Sequence, residues 1–547
     1  MPTLDFKGKP FVYSHHLSVP FRELIEDPAK SVAGEGEAPG LDGNLIIHGD
    51  NLEALKALLP RYAGKVDVIY IDPPYNTGNE GWAYNDNVSA PQLREWLGKV
   101  VDAEDMERHD KWLCMMWPRL QLLKELLAET GLLFISISEI EYSHLICMIE
   151  EMFGADRHIG SFVWKSRQNK DNRNTSGLSE DHEYIVIVGD AVQGSARRQG
   201  RSVVDDGHHD GPWESGNMVG MASAESRPNL HFDLINPETE INYGRPPRGW
   251  RYGRETMARL IENDAIVWPG SPDGRPREKV FIKNLADRTN ISSVIADLFT
   301  RQGTAVFEEI MGDRSFAFPK PPELVQRLID QSPAESPLIL DSFAGSGTTG
   351  HAVLALNKAD GGNRKFILIE TEDYADTLTA ERARRVIKGV SGAKDEALKA
   401  GLGGSFTYCE LGEPMDLERF FAEGGRAPRW DQVARYVAYT ATGETLAPAE
   451  GPDGLAGHAG PYRLHLLYRD DPEWMRSNAA MLDLTTAERI AKAAKADGGK
   501  PVLVFAAGKL MGQRALGPLG ITFCQLPYSV HRILGEGTEG VAGVDAA

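Results

Sequence analysis

Cysteine is scarce in this chain, and its scarcity excludes several classes at once. The 547 residues hold four, Cys114, Cys147, Cys409 and Cys524, scattered and never paired as CxxC. That excludes a disulfide framework and a structural zinc site, and points to reduced thiols in a cytosolic (cytoplasmic) setting. No run of about 18 apolar residues occurs, so no membrane span is expected. The N-terminus, Met1-Pro2-Thr3-Leu4-Asp5, has no basic segment leading into an apolar one, so no secretory signal is visible. No metal-binding pattern is visible either.

Positive charge is also short. Against 79 Asp and Glu stand 59 Lys and Arg, leaving a net charge of −20, which taken globally speaks against a nucleic-acid binder. The deficit is not uniform. Between Arg157 and Arg301, 20 basic residues meet 20 acidic ones. Inside that segment Arg245, Arg248, Arg251, Arg254 and Arg259 face a single acid, Glu255, with Trp250 and Tyr252 interleaved. Such a stretch is either a solvated basic face or a phosphate-binding one, and global charge does not decide between them. What is present is ordinary for a globular protein: 41% hydrophobic and 25% charged residues, and length enough for two to four domains with a large core.

The stretch from Val66 to Tyr75 organises the rest. Val66 to Ile71 is apolar but for Asp67 and mostly β-branched, which predicts a buried parallel strand. Pro73 stops it, having no N–H to give to a ladder. Asp72 is thus held at the carboxyl end of a central strand, where ligands of open α/β sheets bind, with Pro73 and Pro74 stiffening the loop that carries Tyr75. A carboxylate, a proline carbonyl and an aromatic face suit the gripping of a planar amino group, with two N–H donors to accept and a ring to stack on. The other reading of Asp72-Pro73-Pro74-Tyr75 is a strand-end cap beside a surface tyrosine.

Taken in order, residues 1–42 contain Pro20, Pro39 and the polar Gly34-Glu35-Gly36-Glu37 and read as an arm with little core of its own. Residues 43–190 alternate strand and helix: Leu45 to Ile47, a helix from Asn51, the Asp72 strand, a helix near Lys111 to Thr130 kinked or started by Pro118 and ended by Gly131, a strand to Ile137, a helix Glu139 to Phe153, then closing strands at Ile159 to Trp164 and Tyr184 to Val188. Asp50, before the Asn51 helix, either caps it or touches a ligand. The polar residues 79–110 suggest a loop over the site. This alternation predicts a doubly wound α/β sheet. Periodicity then fades over residues 191–315, which read as an inserted region.

A second key stretch lies in residues 316–415. Pro337 to Asp341 is a strand, Ser342 to Gly347 a glycine-rich turn, and Thr348-Thr349-Gly350 a helix start whose hydroxyls are placed to satisfy its first amides. Gly345 and Gly347 permit a tight turn and close ligand approach. The next strand, Lys365 to Ile369, ends at Glu370, where a Rossmann-like site holds a ribose diol. The glycines leave the cofactor's identity open. The tail, 416–547, predicts a small α/β domain with strands at Tyr462 to Tyr468 and Val502 to Phe505 and a helix from Thr485 with Glu488 as capping-box partner.

Together these stretches resemble the amino-methyltransferases that act on DNA with S-adenosylmethionine. Phe343 to Gly347 looks like that family's FxGxG cofactor motif and Asp72 to Tyr75 like its catalytic DPPY. The catalytic motif comes first, with Asp341 following Asp72 by 269 residues, an order similar to the β group of the superfamily. Ile47 to Leu55, Asp181 to Ile185 and Phe406 to Gly412 resemble the modification (Mod) subunits of type III restriction-modification systems. The resemblance implies a Rossmann-like methyltransferase sheet in circularly permuted order, with a target-recognition region inserted and the C-terminal domain dimerising the enzyme or docking a partner. It implies that Asp72 and the carbonyl of Pro73 hold adenine N6, that Tyr75 stacks on a base flipped from double-stranded DNA, and that Phe343, Gly345, Gly347, Asp341, Thr348, Glu370, Pro319, Lys320 and Asp50 surround S-adenosylmethionine. Arg245, Arg248, Arg251 and Arg254 are then the candidate DNA contacts. A homodimer and a helicase-nuclease restriction subunit are the implied partners. Cytosine-N4 methylation, RNA methylation and a catalytically silent DNA-binding module are the alternatives, and Asp at position 72 favours adenine N6 over cytosine N4.

Overall fold

A computed structural model describes residues 3–34, 40–76, 108–170, 177–196, 203–415 and 427–526. The chain forms two compact units, Met1–Val192 with Ser292–Ala547, and Gln193–Ile291.

The larger unit is built on a ten-stranded sheet. In chain order its strands are β1 (Arg22–Val32), β2 (Leu45–His48), β3 (Val66–Ile71), β4 (Leu127–Ile137), β5 (His158–Trp164), β6 (Glu183–Val188), β7 (Val294–Ile295), β8 (Leu338–Asp341), β9 (Lys365–Glu370) and β10 (Phe406–Pro414). In space they run β1-β10-β2-β9-β8-β3-β4-β6-β5-β7. β10, β2, β9, β8, β3 and β4 are mutually parallel, whereas β1 and β6 run against their neighbours. From β8 the chain continues to β9 on one side, and from β3 to β4 on the other. The winding therefore reverses between β8 and β3, so the crevice beyond their carboxyl ends is the ligand-binding position of such a sheet. The expected doubly wound, permuted sheet is present.

The central strands form because both faces are covered. Val66, Val68, Ile69 and Ile71 are all fully buried, each contributing about 1.5–3 kcal/mol by leaving water. The polar exception, Asp67, is explained by its neighbour: its carboxylate accepts the Leu338 amide at 2.8 Å and so satisfies the start of β8.

Several boundaries differ from the sequence reading. The N-terminal segment is no loose arm. β1 pairs antiparallel with β10, and Phe6, Val12, Val19 and Leu24 are buried, because these apolar groups are too widely spaced to show a period but converge once the chain folds back. The helix Arg108–Leu126 runs straight through Pro118. A mid-helix proline costs about 3 kcal/mol, which the burial of Trp112, Met115, Met116, Leu120 and Leu122 offsets. The helix ends at Leu126, and Gly131 lies within β4 at a break in register, where a Cβ would sit 2.9 Å from the Val66 carbonyl oxygen. The expected loop at 79–110 lies almost wholly outside the described residues.

The inserted unit is shorter than 191–315. Val294–Ile295 joins the large sheet beside β5, and the helix Thr300–Met311 buries Phe307 and Ile310 in the same unit. The tail forms a four-stranded sheet, Leu455–Ala459, Tyr462–Leu467, Val502–Ala506 and Ile521–Gln525. Its helix Leu484–Ala496 is capped by Asp483, which accepts the Thr486 amide at 2.7 Å, and not by Thr485 with Glu488. The preceding helix Trp430–Thr442 packs on the body of the ten-stranded sheet unit through Tyr436 against Phe21, and Tyr439 donates to Glu125 at 2.9 Å.

In the smaller unit a three-stranded sheet of Trp213–Asn217, Arg277–Phe281 and Ile266–Val267 covers a core of Met218, Phe232, Leu234, Trp250 and Met257. Trp250 is 2% exposed and donates its indole N–H to the Phe232 carbonyl, so it is a core residue and offers no stacking face. Arg245, Arg248, Arg251, Arg254 and Arg259 are all exposed.

Candidate active site

The crevice between β8 and β3 holds a cavity of about 340 Å³. Asp72, Tyr75, Lys320, Asp341, Phe343 and Gly345 line it, as do Pro73, Pro74, Pro319 and Thr348. The structure thus brings the two sequence stretches, 269 residues apart, to one surface.

On the β3 side, Asp72 follows the last strand residue and Pro74 fixes the loop by accepting the Trp112 indole N–H at 2.7 Å. Four polar groups interlock above it. Lys320 Nζ lies 2.8 Å from Asp72 Oδ2, 2.9 Å from the Tyr75 hydroxyl and 3.4 Å from Glu183 Oε2. The Tyr75 hydroxyl stands 2.8 Å from both Asp72 Oδ1 and Glu183 Oε2. A phenol has one proton, so it serves one carboxylate at a time while accepting from Lys320. Burial works against the Lys320 ammonium, but the Asp72 and Glu183 carboxylates outweigh it and hold the lysine above its ordinary range. Burial, then those same carboxylates, pushes the Tyr75 phenol well above its usual value, so it stays protonated.

On the β8 side, Gly345 and Gly347 hold left-handed φ angles of +50° and +74°. Glu370 Oε2 accepts the Gly345 amide at 2.6 Å and Oε1 the Glu372 amide at 3.0 Å. Beneath the turn, the buried Arg382 guanidinium donates to the Ser346 carbonyl and to the Ser346 and Thr348 hydroxyls at 3.2, 3.0 and 2.9 Å. Thr348 and Thr349 do not cap the helix Thr348–Asp360 as expected. Thr349 donates to Asp341 Oδ2 at 2.5 Å and Thr348 to the Lys320 carbonyl at 3.3 Å, so the hydroxyls tie the turn to both walls.

Asp50 caps the helix Asn51–Tyr62, accepting from the Leu52 and Glu53 amides, and is not among the residues lining the cavity. Glu370 likewise lies behind the turn and not on the cavity wall. Glu183 and Arg382 escaped sequence reasoning as site residues. For Glu183 a signal existed: an acid opening a strand antiparallel to β4 falls at the carboxyl edge of the parallel strands.

Asp341 and Glu370 are each pushed up to about 7, chiefly by burial. An acid with its folded value above its unfolded one binds a proton in the folded chain that the unfolded chain has lost, so the linkage destabilises as pH rises from the ordinary carboxylate range to about 7. The ligand-free protein should therefore lose stability between about pH 4 and pH 7, by roughly 1.4 kcal/mol for each tenfold difference in proton affinity between the folded and unfolded chains. The melting temperature reads that loss. Glu370→Gln should flatten part of the slope in calorimetry, and an unchanged slope would assign it elsewhere.

A family model described as DNA methylase matches residues 66–381. The chain is 30% identical over 472 residues to the Mod subunit of the type III restriction-modification enzyme EcoPI from Escherichia phage P1, covering 73% of this chain and 70% of that one. It is 29% identical over 457 residues to the StyLTI Mod subunit of Salmonella typhimurium, covering 76% and 68%. It is also 30% identical over 346 residues to the type II methyltransferase M.KpnI of Klebsiella pneumoniae, covering 60% and 80%. With the two motifs converging on one crevice, the chain belongs to the DNA methylase family, with Mod subunits of type III restriction-modification enzymes among its relatives.

Proposed function

We propose that the crevice between β8 and β3 methylates N6 of an adenine flipped out of double-stranded DNA. The observation that carries this is the position of Asp72 and Tyr75 on one cavity wall, opposite Gly345 and Phe343 on the other. The residues fit the methyl donor. Asp341 and Asp72 are acids suited to a positively charged sulfur, Phe343 and Phe316 offer aromatic faces, and a Cβ on Gly345 would fill the cradle by meeting the Phe316 ring at 3.0 Å. Bound there, S-adenosylmethionine supplies a methyl group on a sulfonium, with no protein nucleophile needed.

The chain's own residues position the base. Asp72 and the Pro73 carbonyl accept the two N6 hydrogens and favour the pyramidal nitrogen that attacks. In the ligand-free protein Asp72 Oδ1 is engaged by the Tyr75 hydroxyl. Swinging Tyr75 onto the base frees that oxygen, so stacking and amino-group capture are one movement. Lys320, itself paired with Glu183, holds Asp72 Oδ2 in place throughout. Catalysis is then orientation plus electrostatics.

The unit Gln193–Ile291 reads the target, and its exposed Arg245, Arg248, Arg251 and Arg254 meet phosphates. Arg248→Ala should weaken DNA binding across sequences and reduce the slope of log affinity against log salt by about 1. An unchanged slope in a fluorescence-anisotropy titration would move the DNA surface elsewhere. A homodimer, a helicase-nuclease restriction partner and a cytoplasmic setting complete the proposal.

The decisive experiment is long-read sequencing of DNA from cells expressing the protein, scored for N6-methyladenine. Methylation at one short motif supports the reading. Modified cytosine without modified adenine would redirect it to N4.

A further inference from the structure

The residue after Tyr75 leads into a second polar cluster. Asn76 is buried at a left-handed φ of +57° and donates its side-chain amide to Glu141 Oε1. Glu141, on the helix Glu139–Phe153, is fully buried. Its Oε1 faces His109 Nδ1 at 2.8 Å, and its Oε2 faces His144 Nδ1, one helical turn away, at 2.8 Å. The two imidazoles are each about a third exposed, with centroids 4.9 Å apart. None of these four residues is among those lining the methyltransferase cavity.

A carboxylate taken out of water needs a counter-charge. Among the described residues the ion-pair partners of Glu141 are the two histidines alone. A divalent cation held by this carboxylate and both imidazoles supplies that counter-charge. The donor atoms already converge, one from each side chain lying within 4.8 Å of the others. Nitrogen and oxygen ligands held about 2.0–2.2 Å from one ion stand roughly 3 Å apart, which the two 2.8 Å separations approach. Two imidazoles with one carboxylate suit a borderline transition-metal ion, whereas calcium and magnesium call for oxygen ligands throughout.

We propose that His109, Glu141 and His144 bind a transition-metal ion of the zinc type. The Glu141 carboxylate and both Nδ1 atoms are the ligands, Oε1 lying beside His109 and Oε2 beside His144, and Oε1 also takes the Asn76 amide. The ion ties the end of the catalytic loop to two helices, and a fourth position remains for water.

The test is a cobalt titration of the full-length protein stripped with a chelator, read by visible absorption and by metal content after gel filtration. About one Co²⁺ per chain is expected, giving the absorption bands of a site with few ligands, and Zn²⁺ should displace it. The variant H109A/H144A should lose the bands, its fold being checked by circular dichroism. Should that variant misfold, H144Q, polar and at a partly exposed position, should bind cobalt at least about tenfold more weakly. His208, His209 and Asp210 form another His/Asp group, with His209 well exposed, and H208A/H209A should leave the bands intact. No uptake by the folded wild type overturns the proposal. Bands lost in H208A/H209A but kept in H109A/H144A or H144Q also overturn it, and mean an adventitious ion only.

Discussion

Asp72→Ala should lower methyl transfer by at least about 10³-fold, the upper end of what one preorganised polar group supplies, while S-adenosylmethionine affinity changes little. The substitution removes the side-chain acceptor for the amino group and leaves only the Pro73 carbonyl. Folding should survive it. Lys320 loses the partner at 2.8 Å but keeps Glu183 at 3.4 Å and the Tyr75 hydroxyl at 2.9 Å, so the buried ammonium is not stranded. The cofactor wall, built by Gly345 and Phe343 on a different strand end, is untouched. Asp72→Asn separates charge from shape. It keeps one acceptor oxygen but presents a donor amide to Lys320, and should retain more activity than alanine. Single-turnover transfer of labelled methyl groups, beside calorimetric titration of the cofactor, distinguishes the effects. Transfer by Asp72→Ala within tenfold of the wild type would end the case for this residue.

The parts of this molecule legible in the sequence are those where a local rule and the tertiary demand agree. β3 is buried on both faces, so its apolar run shows directly, and Pro73 marks its end in any context. Gly345 and Gly347 are needed because their φ angles are positive, and glycine announces that. The misses occur where distant residues decide. Nothing local in Arg22–Val32 reveals that β10, nearly 400 residues later, completes its ladder. Pro118 reads as a helix boundary until the buried tryptophan and methionines around it are weighed. Thr348 and Thr349 have the chemistry of helix caps, but Asp341 and Lys320 claim their hydroxyls first. The site shows the same division. Asp72 and Tyr75 are legible as a pair, whereas the contacts that Lys320 and Glu183 make with them depend on two strand ends meeting the loop before the helix Pro322–Ile329.

Gly345→Val should raise the S-adenosylmethionine dissociation constant by at least about 100-fold, or about 2.8 kcal/mol at about 1.4 kcal/mol per decade, with DNA binding preserved. Two penalties act together. At a φ of +50° a β-branched residue is strained, at about 1–3 kcal/mol for such a conformation. The new Cβ would also stand 3.0 Å from the Phe316 ring, inside the space the cofactor needs. If the backbone relaxes to relieve the strain, the Gly345 amide leaves Glu370, and a carboxylate 1% exposed loses one of its amide partners. That loss raises its proton affinity further, so any residual cofactor binding that needs the ionised carboxylate should move to higher pH than in the wild type. The position thus has no cheap escape, unlike an exposed glycine such as Gly361, where an added Cβ meets nothing within 4 Å. Gly361→Ala is therefore the matched control for the cost of a positive φ alone. Equal cofactor affinity in Gly345→Val and wild type, by equilibrium dialysis, would remove the glycine turn from the binding site and leave Asp72 without a methyl donor to aim at.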